Sequence, residues 1–146
     1  MVEIAGWAAD AALLAAFLEE ANLARIGTID VDGEPHVVPV WFAWDGARFL
    51  VGADASDHKV DNLRRTGRAS LEIDSDLRRK RGILVRGAAT LVEGAAGRER
   101  YLAVSELQLR RYQPDKPAPE MAVRMAARGE PVVIELLPRS IVSWGR

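Results

Sequence analysis

Three polar residues near the start of one predicted helix have the types and spacing needed to hold an anion. Ser56 lies at the helix start, and Lys59 and Asn62 follow it one turn apart on the same face. A hydroxyl, an ammonium group, an amide and the free backbone N–H groups of a first helical turn can together surround a phosphate. This segment therefore predicts a phosphate cradle.

The same segment also fits a simpler interpretation. Serine is a common helix-capping residue, and charged side chains on a short surface helix are usually solvated. Asp57 and Asp61 disfavour an anion unless both carboxylates point away from it. A capped surface helix without a ligand therefore remains open at this point.

A second unusual segment is the apolar strand around Pro39, within residues 35–42. Proline has no N–H to donate to a sheet ladder, so we expect Pro39 at an edge or a bulge. Neighbouring backbone groups would then be free to meet a ligand. The alternative is an edge strand that packs in the core and binds nothing.

Several other kinds of site are disfavoured by what the sequence lacks. It contains no cysteine and two histidines, His36 and His58, which excludes thiolate chemistry and disfavours a zinc or iron site. The nucleophile elbow, the Walker phosphate loop and the glycine-rich dinucleotide fingerprint are absent. A bound cofactor that carries the chemistry fits these absences.

The composition is typical of a folded protein that binds small molecules. With 146 residues, 49% of them hydrophobic and 28% charged, we expect one domain over residues 1–146. The net charge of -1 offers no broad positive surface, so nucleic acid and membrane are not expected as partners. Residues 4–23 are apolar but contain acidic residues and lack a basic leading segment, so we expect a cytoplasmic protein.

The elements that would position these residues follow from the hydrophobic period. Asp10 is placed to cap the first helix and Gly67 to end the second. Helices are predicted over residues 11–21, 56–65, 97–112 and 119–128. Strands are predicted over residues 23–29, 36–44, 49–51, 69–73, 83–92, 132–136 and 141–144.

The order of these elements indicates the fold class. The first three strands, joined by Asp-Gly turns at residues 32–33 and 45–46, predict an antiparallel meander, and the last two strands are expected to be joined at residues 138–139. Strand and helix do not alternate regularly, which disfavours a doubly wound parallel sheet. We therefore predict a mainly β fold, a closed or nearly closed antiparallel β-barrel with peripheral helices.

In this order, several segments resemble the split β-barrels of the pyridoxamine 5′-phosphate oxidase-like, FMN-binding superfamily. They are most similar to its actinobacterial branch of oxidoreductases that depend on the deazaflavin coenzyme F420. The resemblance is carried by residues 27–29, 32–33, 35–42 (PHVVPVWF), 58–65 (HKVDNLRR), 67–71 and 142–145.

The resemblance implies a homodimer with two equivalent cofactor sites at the interface, each lined by both subunits. Ser56, Lys59 and Asn62 would hold the phosphate of the cofactor. His58 stands where many members carry an arginine, and a protonated imidazole would replace part of that contact. Four consecutive residues would lie along the tricyclic ring: Val38, Pro39, Val40 and Trp41.

The implied function is hydride transfer between F420 and a small organic acceptor. Two alternatives stay open: an FMN-binding oxidase-like protein or flavin reductase, and a non-catalytic barrel that binds a cofactor, haem or another tetrapyrrole. His36 is either a proton source or a strand residue facing solvent or a polar neighbour. The basic run at residues 78–81 is either a solvated loop or a means of attracting the acidic glutamate tail of this coenzyme.

Overall fold

Alternating buried and exposed residues build one curled sheet in the computed structural model of the protein, which describes residues 1–75 and 80–145. Its strands are β1 (Glu3–Ala5), β2 (Ala24–Ile29), β3 (Pro35–Val40), β4 (Ala43–Trp44), β5 (Phe49–Asp54), β6 (Arg68–Asp74), β7 (Gly82–Val92) and β8 (Pro131–Trp144). The α-helices are α1 (Ala11–Glu19), α2 (His58–Thr66), α3 (Gly94–Tyr112) and α4 (Ala118–Ala126), and a 3-10 helix (Gly6–Ala9) precedes α1.

The strand order explains why the sheet curls. It runs β3-β2-β6-β7-β8-β5-β4, with antiparallel neighbours throughout, and β1 adds to β8 in parallel. Strands β3 and β4 lie at opposite ends of this order, yet only Trp41 and Phe42 separate them in the chain. So short a link requires the two ends of the sheet to approach each other. The predicted split β-barrel with peripheral helices is therefore confirmed.

The inner face of the curled sheet holds the main core. Ile26, Phe42, Phe49 and Leu71 are fully buried there, and Phe17 of α1 packs into the same cluster. Burying each such side chain contributes about 1.5–3 kcal/mol. The core therefore holds β2, β5 and β6 in fixed relative positions, and these strands flank the predicted site.

The predicted three-strand meander is wrong. Strand β3 pairs with β2, whereas β4 pairs with β5 at the other end of the sheet. The chain leaves the first pairing after Val40 because Trp41 and Phe42 turn a corner, with Phe42 buried in the barrel core. A continuous apolar run gives no signal for such a corner, since both halves have strand character.

The two predicted C-terminal strands form the single strand β8, so the expected break at residues 138–139 is also wrong. Pro138 lies opposite Gly87 on β7, where the register shifts at a bulge. Bulges tolerate the missing N–H of proline. Gly87 permits the close approach, because a Cβ there would lie 2.0 Å from the carbonyl oxygen of Leu137.

Both predicted helix boundary signals are confirmed. The Asp10 carboxylate accepts from the backbone N–H groups of Ala12 and Leu13 at the start of α1. Gly67 ends α2 in the left-handed conformation, with φ of 65°. Helix α2 begins at His58, two residues later than predicted. No helix within residues 1–75 or 80–145 is long and apolar enough to cross a membrane.

Candidate functional site

The loop between β5 and α2 is held together by two carboxylates. Asp54 Oδ1 accepts from the Ser56 hydroxyl at 2.6 Å and from its backbone N–H at 2.9 Å. Asp57 Oδ2 accepts from the Asp54 N–H and from Lys59 Nζ, both at 2.9 Å. Ser56 and Lys59, two of the predicted phosphate ligands, thus belong to one short network.

This network fixes the charge state of the loop. The Ser56 hydroxyl, together with the backbone N–H groups of Ser56 and Glu130, donates to Asp54 and holds the pKa of that carboxyl below its usual value. Asp57 points at Lys59, whose side chain is only 13% exposed. The lysine charge is therefore already balanced within the chain.

The first turn of α2 still offers donors to an anion. Asp57 is its N-cap residue, but the Asp57 side chain makes no capping hydrogen bond. Among the residues that the structure describes, the backbone N–H groups of His58 and Lys59 have no acceptor. Unsatisfied N–H groups and the helix dipole make such an end suitable for a phosphate or a carboxylate.

Asn62, the third predicted phosphate ligand, anchors α2 to β2. Its side chain is buried, and Nδ2 donates to Thr28 Oγ1 at 3.0 Å and to Asp30 Oδ1 at 2.8 Å. Its Oδ1 accepts from Arg65 at 3.3 Å. A direct contact between Asn62 and phosphate, as the sequence predicts, therefore requires these bonds to be exchanged.

A histidine pair connects the helix start to the predicted ring strand. The rings of His36 on β3 and His58 on α2 meet edge to face, with centroids 5.6 Å apart. His36 Nδ1 is buried and has no hydrogen-bond partner in the described part of the chain. Through this contact the first turn of α2 lies beside the start of β3.

Strand β3 presents two different faces. Val38 and Val40 are half-buried and pack against the barrel core, whereas Val37 and Pro39 are exposed. Among the described residues β3 pairs with β2 alone, so the expected edge position of Pro39 is confirmed. Of the predicted ring-binding residues, Val38 and Val40 therefore anchor β3 to the core, and Pro39 lies on its open edge.

The free edge of β3 carries few donors. Asp30 N–H donates to the carbonyl of Glu34 at 2.9 Å, which fixes the alternation of hydrogen-bonded pairs along the hairpin. Residues 35, 37 and 39 consequently direct their backbone groups away from β2. Two of them are prolines, so Val37 supplies the edge's sole N–H, next to three carbonyl oxygens. A ligand along this edge meets mostly acceptors.

Trp41, at the end of the predicted ring segment, is fixed by α3. Its indole stacks on Tyr112 with centroids 5.1 Å apart and an interplanar angle of 11°. The Tyr112 hydroxyl donates to the carbonyl of Asn22 at 2.7 Å, and burial raises its pKa. Arg111 donates to the carbonyl of Phe42 at 3.4 Å. The corner between β3 and β4 is thus clamped by the end of α3.

Three cavities among the described residues lie near the predicted site, and one of them is lined by predicted cofactor-binding residues. A cavity of about 260 Å³ includes Asp54, Asp57 and Tyr101. Another of about 460 Å³ includes His58 and Asn62 but is lined by Asp30, Asp32 and Asp61 as well. Its acidic lining disfavours an anion on that face of α2.

The third cavity was not anticipated by the sequence analysis. This groove, of about 430 Å³, crosses the outer face of the sheet and includes His36 and Val37. Three arginines line it: Arg68, Arg86 and Arg139. Alternation along β6 and β7 indicates that Arg68 and Arg86 point outward, but the bulge that brings Arg139 to them has no sequence signal.

Two further predictions concern metal ions and the basic run at residues 78–81. Residues 1–75 and 80–145 contain no group of three or more histidine, aspartate or glutamate side chains arranged to hold a metal ion. Of the basic run at residues 78–81, Arg78 and Arg79 lie outside the described residues. Arg81 pairs with Glu20 at 3.3 Å and lies over the Trp7 ring.

The structure combines three features that can be compared with known protein families: a curled barrel, an edge strand that contains proline, and a helix that begins nearby. The model of one family, described as pyridoxamine 5′-phosphate oxidase, matches residues 11–133. The chain belongs to the pyridoxamine 5′-phosphate oxidase family. The matched range includes β3, the loop before α2 and both predicted halves of the cofactor site.

Solved structures similar to this pyridoxamine 5′-phosphate oxidase family member differ in what they bind. A conserved hypothetical protein from Mycobacterium tuberculosis is 28% identical, with a TM-score of 0.77 over 92% of this chain and 83% of that one. An F420 reductase is 24% identical, with a TM-score of 0.65 over 86% and 93%. A haem storage protein from Vibrio cholerae is 17% identical, with a TM-score of 0.65 over 87% and 88%. The last two show the fold alone, and no curated protein matches the chain significantly.

Proposed function

We propose that the protein is an F420-dependent oxidoreductase that transfers a hydride between the deazaflavin and a small organic acceptor. Membership of a family named for an oxidase supports redox chemistry, and the similarity to an F420 reductase supports the cofactor. The sequence resemblance described above supports the same branch. FMN is the alternative cofactor, because it offers a similar ring and phosphate.

One observation carries the proposal. The start of β3 contacts the first turn of α2 through the rings of His36 and His58, whose centroids are 5.6 Å apart, and the open edge of β3 runs on from this contact. The edge offers a strip of backbone and apolar side chains for a flat ring. The helix start offers donors for an anionic group. A molecule with both parts would contact both elements at once.

The residues at the helix start fit a phosphate if bonds within the loop are exchanged. Two backbone N–H groups are free, whereas the Ser56 hydroxyl and the Lys59 ammonium, a few residues apart, donate to Asp54 and Asp57. Lys59 must turn from Asp57, or share its charge between that carboxylate and the ligand. Anion affinity is reduced by this competition, because the carboxylate and the phosphate attract the same ammonium group.

The bound deazaflavin would supply the hydride chemistry, and the protein's own residues would position it. Val38 and Val40 are packed into the core, which holds the backbone of β3 still. The stacking of Trp41 on Tyr112 fixes the next residue of the strip. Pre-positioned groups lower a barrier by removing the entropy cost of orientation.

We further propose that the site is completed in a homodimer. Pro39 is exposed on the free edge of β3, so one protomer leaves the outer side of the predicted ring segment uncovered. A second copy of the chain would exclude water from this side of the ring. Sedimentation equilibrium should give a dimer mass, and a monomer that binds the deazaflavin with full affinity would contradict this part of the proposal.

A fluorescence titration of the purified protein tests the proposed function. We expect the deazaflavin to bind more tightly than FMN, and reduced deazaflavin to be reoxidised by an electron-poor acceptor. Tighter binding of FMN would transfer the proposal to a flavin enzyme. Binding of haem with no turnover of either cofactor would favour a carrier.

A substitution of Lys59 tests whether this residue binds the phosphate of the cofactor. Lys59→Ala should weaken deazaflavin binding at least about tenfold, since a partly buried charged contact contributes about 1.5–3 kcal/mol. Lys116→Ala removes the same charge at an exposed position and is the matched control. Equal affinities for the two variants would remove Lys59 from the proposed site.

A further inference from the structure

The groove on the outer face of the sheet has an unusual concentration of positive charge. It measures about 430 Å³ and crosses β2, β6 and β7 to the bulge in β8. Such a volume lies within the range of small-molecule sites. Gly27 and Gly87 line the groove, and because they have no side chains they leave space within it. The arginines Arg68, Arg86 and Arg139 line it.

Strand register brings these three arginines together. Arg86 on β7 lies opposite Ser70 on β6, and Arg68 precedes Ser70 by two residues on the same face. Such diagonal neighbours are about 7–8 Å apart. Arg139 is next to Ser140, which lies opposite Arg86 on the other side of β7. The bulge at Gly87 therefore adds the third arginine to the other two.

No counter-charge within the described part of the chain neutralises this group. Within residues 1–75 and 80–145, the side chains of Arg68, Arg86 and Arg139 make no hydrogen bond or ion pair. Arg25, on the same sheet face, shows the contrast: its guanidinium lies 2.6 Å from Asp74 and 3.7 Å from Glu72. Three neighbouring cations repel one another, and a bound anion would relieve that repulsion.

The groove also has an apolar side. Ile29, Pro35 and Val37 form its wall along β2 and β3, and all three are exposed. A ligand that places an anionic group among the arginines would lay an apolar body against this wall. Because Val37 is followed directly by the predicted ring segment, that body would point toward the proposed cofactor.

We propose that this groove binds the carboxylate of a small acceptor molecule whose apolar part lies along β3. Guanidinium groups recognise carboxylates with paired hydrogen bonds, and the groove can offer more than one such contact. The description of the ligand as an acceptor rests on the proposed function, but binding of the carboxylate does not.

The first test compares benzoate with benzamide, which has nearly the same shape and no charge. In two-dimensional amide NMR of the protein without cofactor, benzoate should shift the signals of Gly27, Ser70 and Gly87. Benzamide should shift them far less. Equal shifts with both probes, or none with benzoate, would overturn the proposal. Neither result depends on deazaflavin binding, so this test and the test of function fail separately.

The second test removes the charges. Replacing Arg68, Arg86 and Arg139 together by glutamine should weaken benzoate binding at least about tenfold, since each solvent-accessible contact contributes up to about 1 kcal/mol. A control with glutamine at Arg98, Lys116 and Arg124 removes three exposed charges elsewhere. Equal weakening in both triple variants would show a general charge effect and overturn the site.

A third arm distinguishes two sources of the carboxylate. A dipeptide of two glutamates stands for the acidic tail of the coenzyme, whereas benzoate stands for an acceptor with an apolar body. We expect benzoate to bind more tightly, because only benzoate can use the wall formed by Ile29, Pro35 and Val37. Tighter binding of the dipeptide would overturn the assignment to an acceptor. Occlusion of the groove in a dimer, with no benzoate shift, would also overturn it.

Discussion

The loop before α2 and the groove on the outer sheet face both present basic groups, but only the loop neutralises them internally. Lys59 pairs with Asp57 at 2.9 Å, whereas the described part of the chain places no carboxylate against Arg68, Arg86 or Arg139. The donors and acceptors of the loop bond to one another, whereas the arginines of the groove lack such partners among the described residues. The loop before α2, which the sequence predicts as an anion site, is thus less available to an anion than the groove.

The largest expected effect tests how strongly Asn62 anchors α2, the helix that follows the loop, to β2. Asn62→Ala removes two hydrogen bonds and leaves the buried hydroxyl of Thr28 without this partner. We expect the free energy of unfolding to fall by about 2–3 kcal/mol. Urea denaturation measures it. Asp61→Ala, on an exposed position of the same helix, should change it by less than about 0.5 kcal/mol, and equal losses would argue against the anchoring role.

The next prediction concerns a variant in which the loop, like the groove, carries a positive charge with no balancing carboxylate. Asp57→Asn keeps the shape of the side chain but removes the charge that balances Lys59. Affinity for inorganic phosphate should rise about threefold to tenfold, because the partly buried ion pair between Asp57 and Lys59 no longer competes. Calorimetric titration measures this change. Asp61→Asn makes the same charge change farther along α2, and an equal gain there would refute the competition.

A smaller effect concerns acid stability. The pKa of Asp54 is held below its usual value by donation from Ser56 and from Glu130, so the unfolded chain takes up the proton first as the pH falls. The stabilisation is fully present above the unfolded pKa and is lost as the pH falls through the lower folded pKa. The free energies of unfolding of the wild type and Asp54→Asn should therefore begin to converge as the pH falls below about 4.

Ser56→Ala sharpens this acid-stability prediction, because it removes the largest cause of the lowered pKa. The pH dependence of unfolding should be shallower in this variant than in the wild type. An unchanged pH dependence would mean that the hydroxyl does not stabilise the Asp54 carboxylate. The competition model for Lys59 would be unaffected, since it concerns Asp57.

The smallest expected effect is on the groove. Replacing its three arginines by glutamine should change the free energy of unfolding by less than about 0.5 kcal/mol, because the side chains lack internal partners. Thermal unfolding of the triple variant checks this. A loss of several kcal/mol would mean that the arginines support the fold, and the contrast between the two regions would no longer hold.

The sequence predicts most of the elements because their signals are local. Asp10 and Gly67 mark a helix start and a helix end, and both predictions are confirmed by the structure. The barrel class follows from the order of the elements and from the resemblance to the family. Local spacing and turn chemistry are sufficient for these features.

Features that depend on distant partners could not be predicted in the same way. The corner at Trp41 arises because β3 and β4 pair at opposite ends of the sheet, and only the strand order of the curled sheet shows this. The engagement of Asn62 with Thr28 and Asp30 depends on how α2 packs on β2. The cluster of three arginines depends on the register shift after Arg86. In each case the deciding contact joins residues that are distant in the sequence.

Strand β8 has a consequence for how the chain acquires its structure. It pairs with β5, β7 and β1, and Trp7 donates to the carbonyl of Trp144 across 137 positions of sequence. Ordering such remote segments costs much loop entropy before their contacts form, and chains rich in them fold in milliseconds to seconds rather than microseconds. The edges of β5 and β7 consequently stay unpaired until the last strand docks. During synthesis, this interval is when the chain is most prone to aggregation.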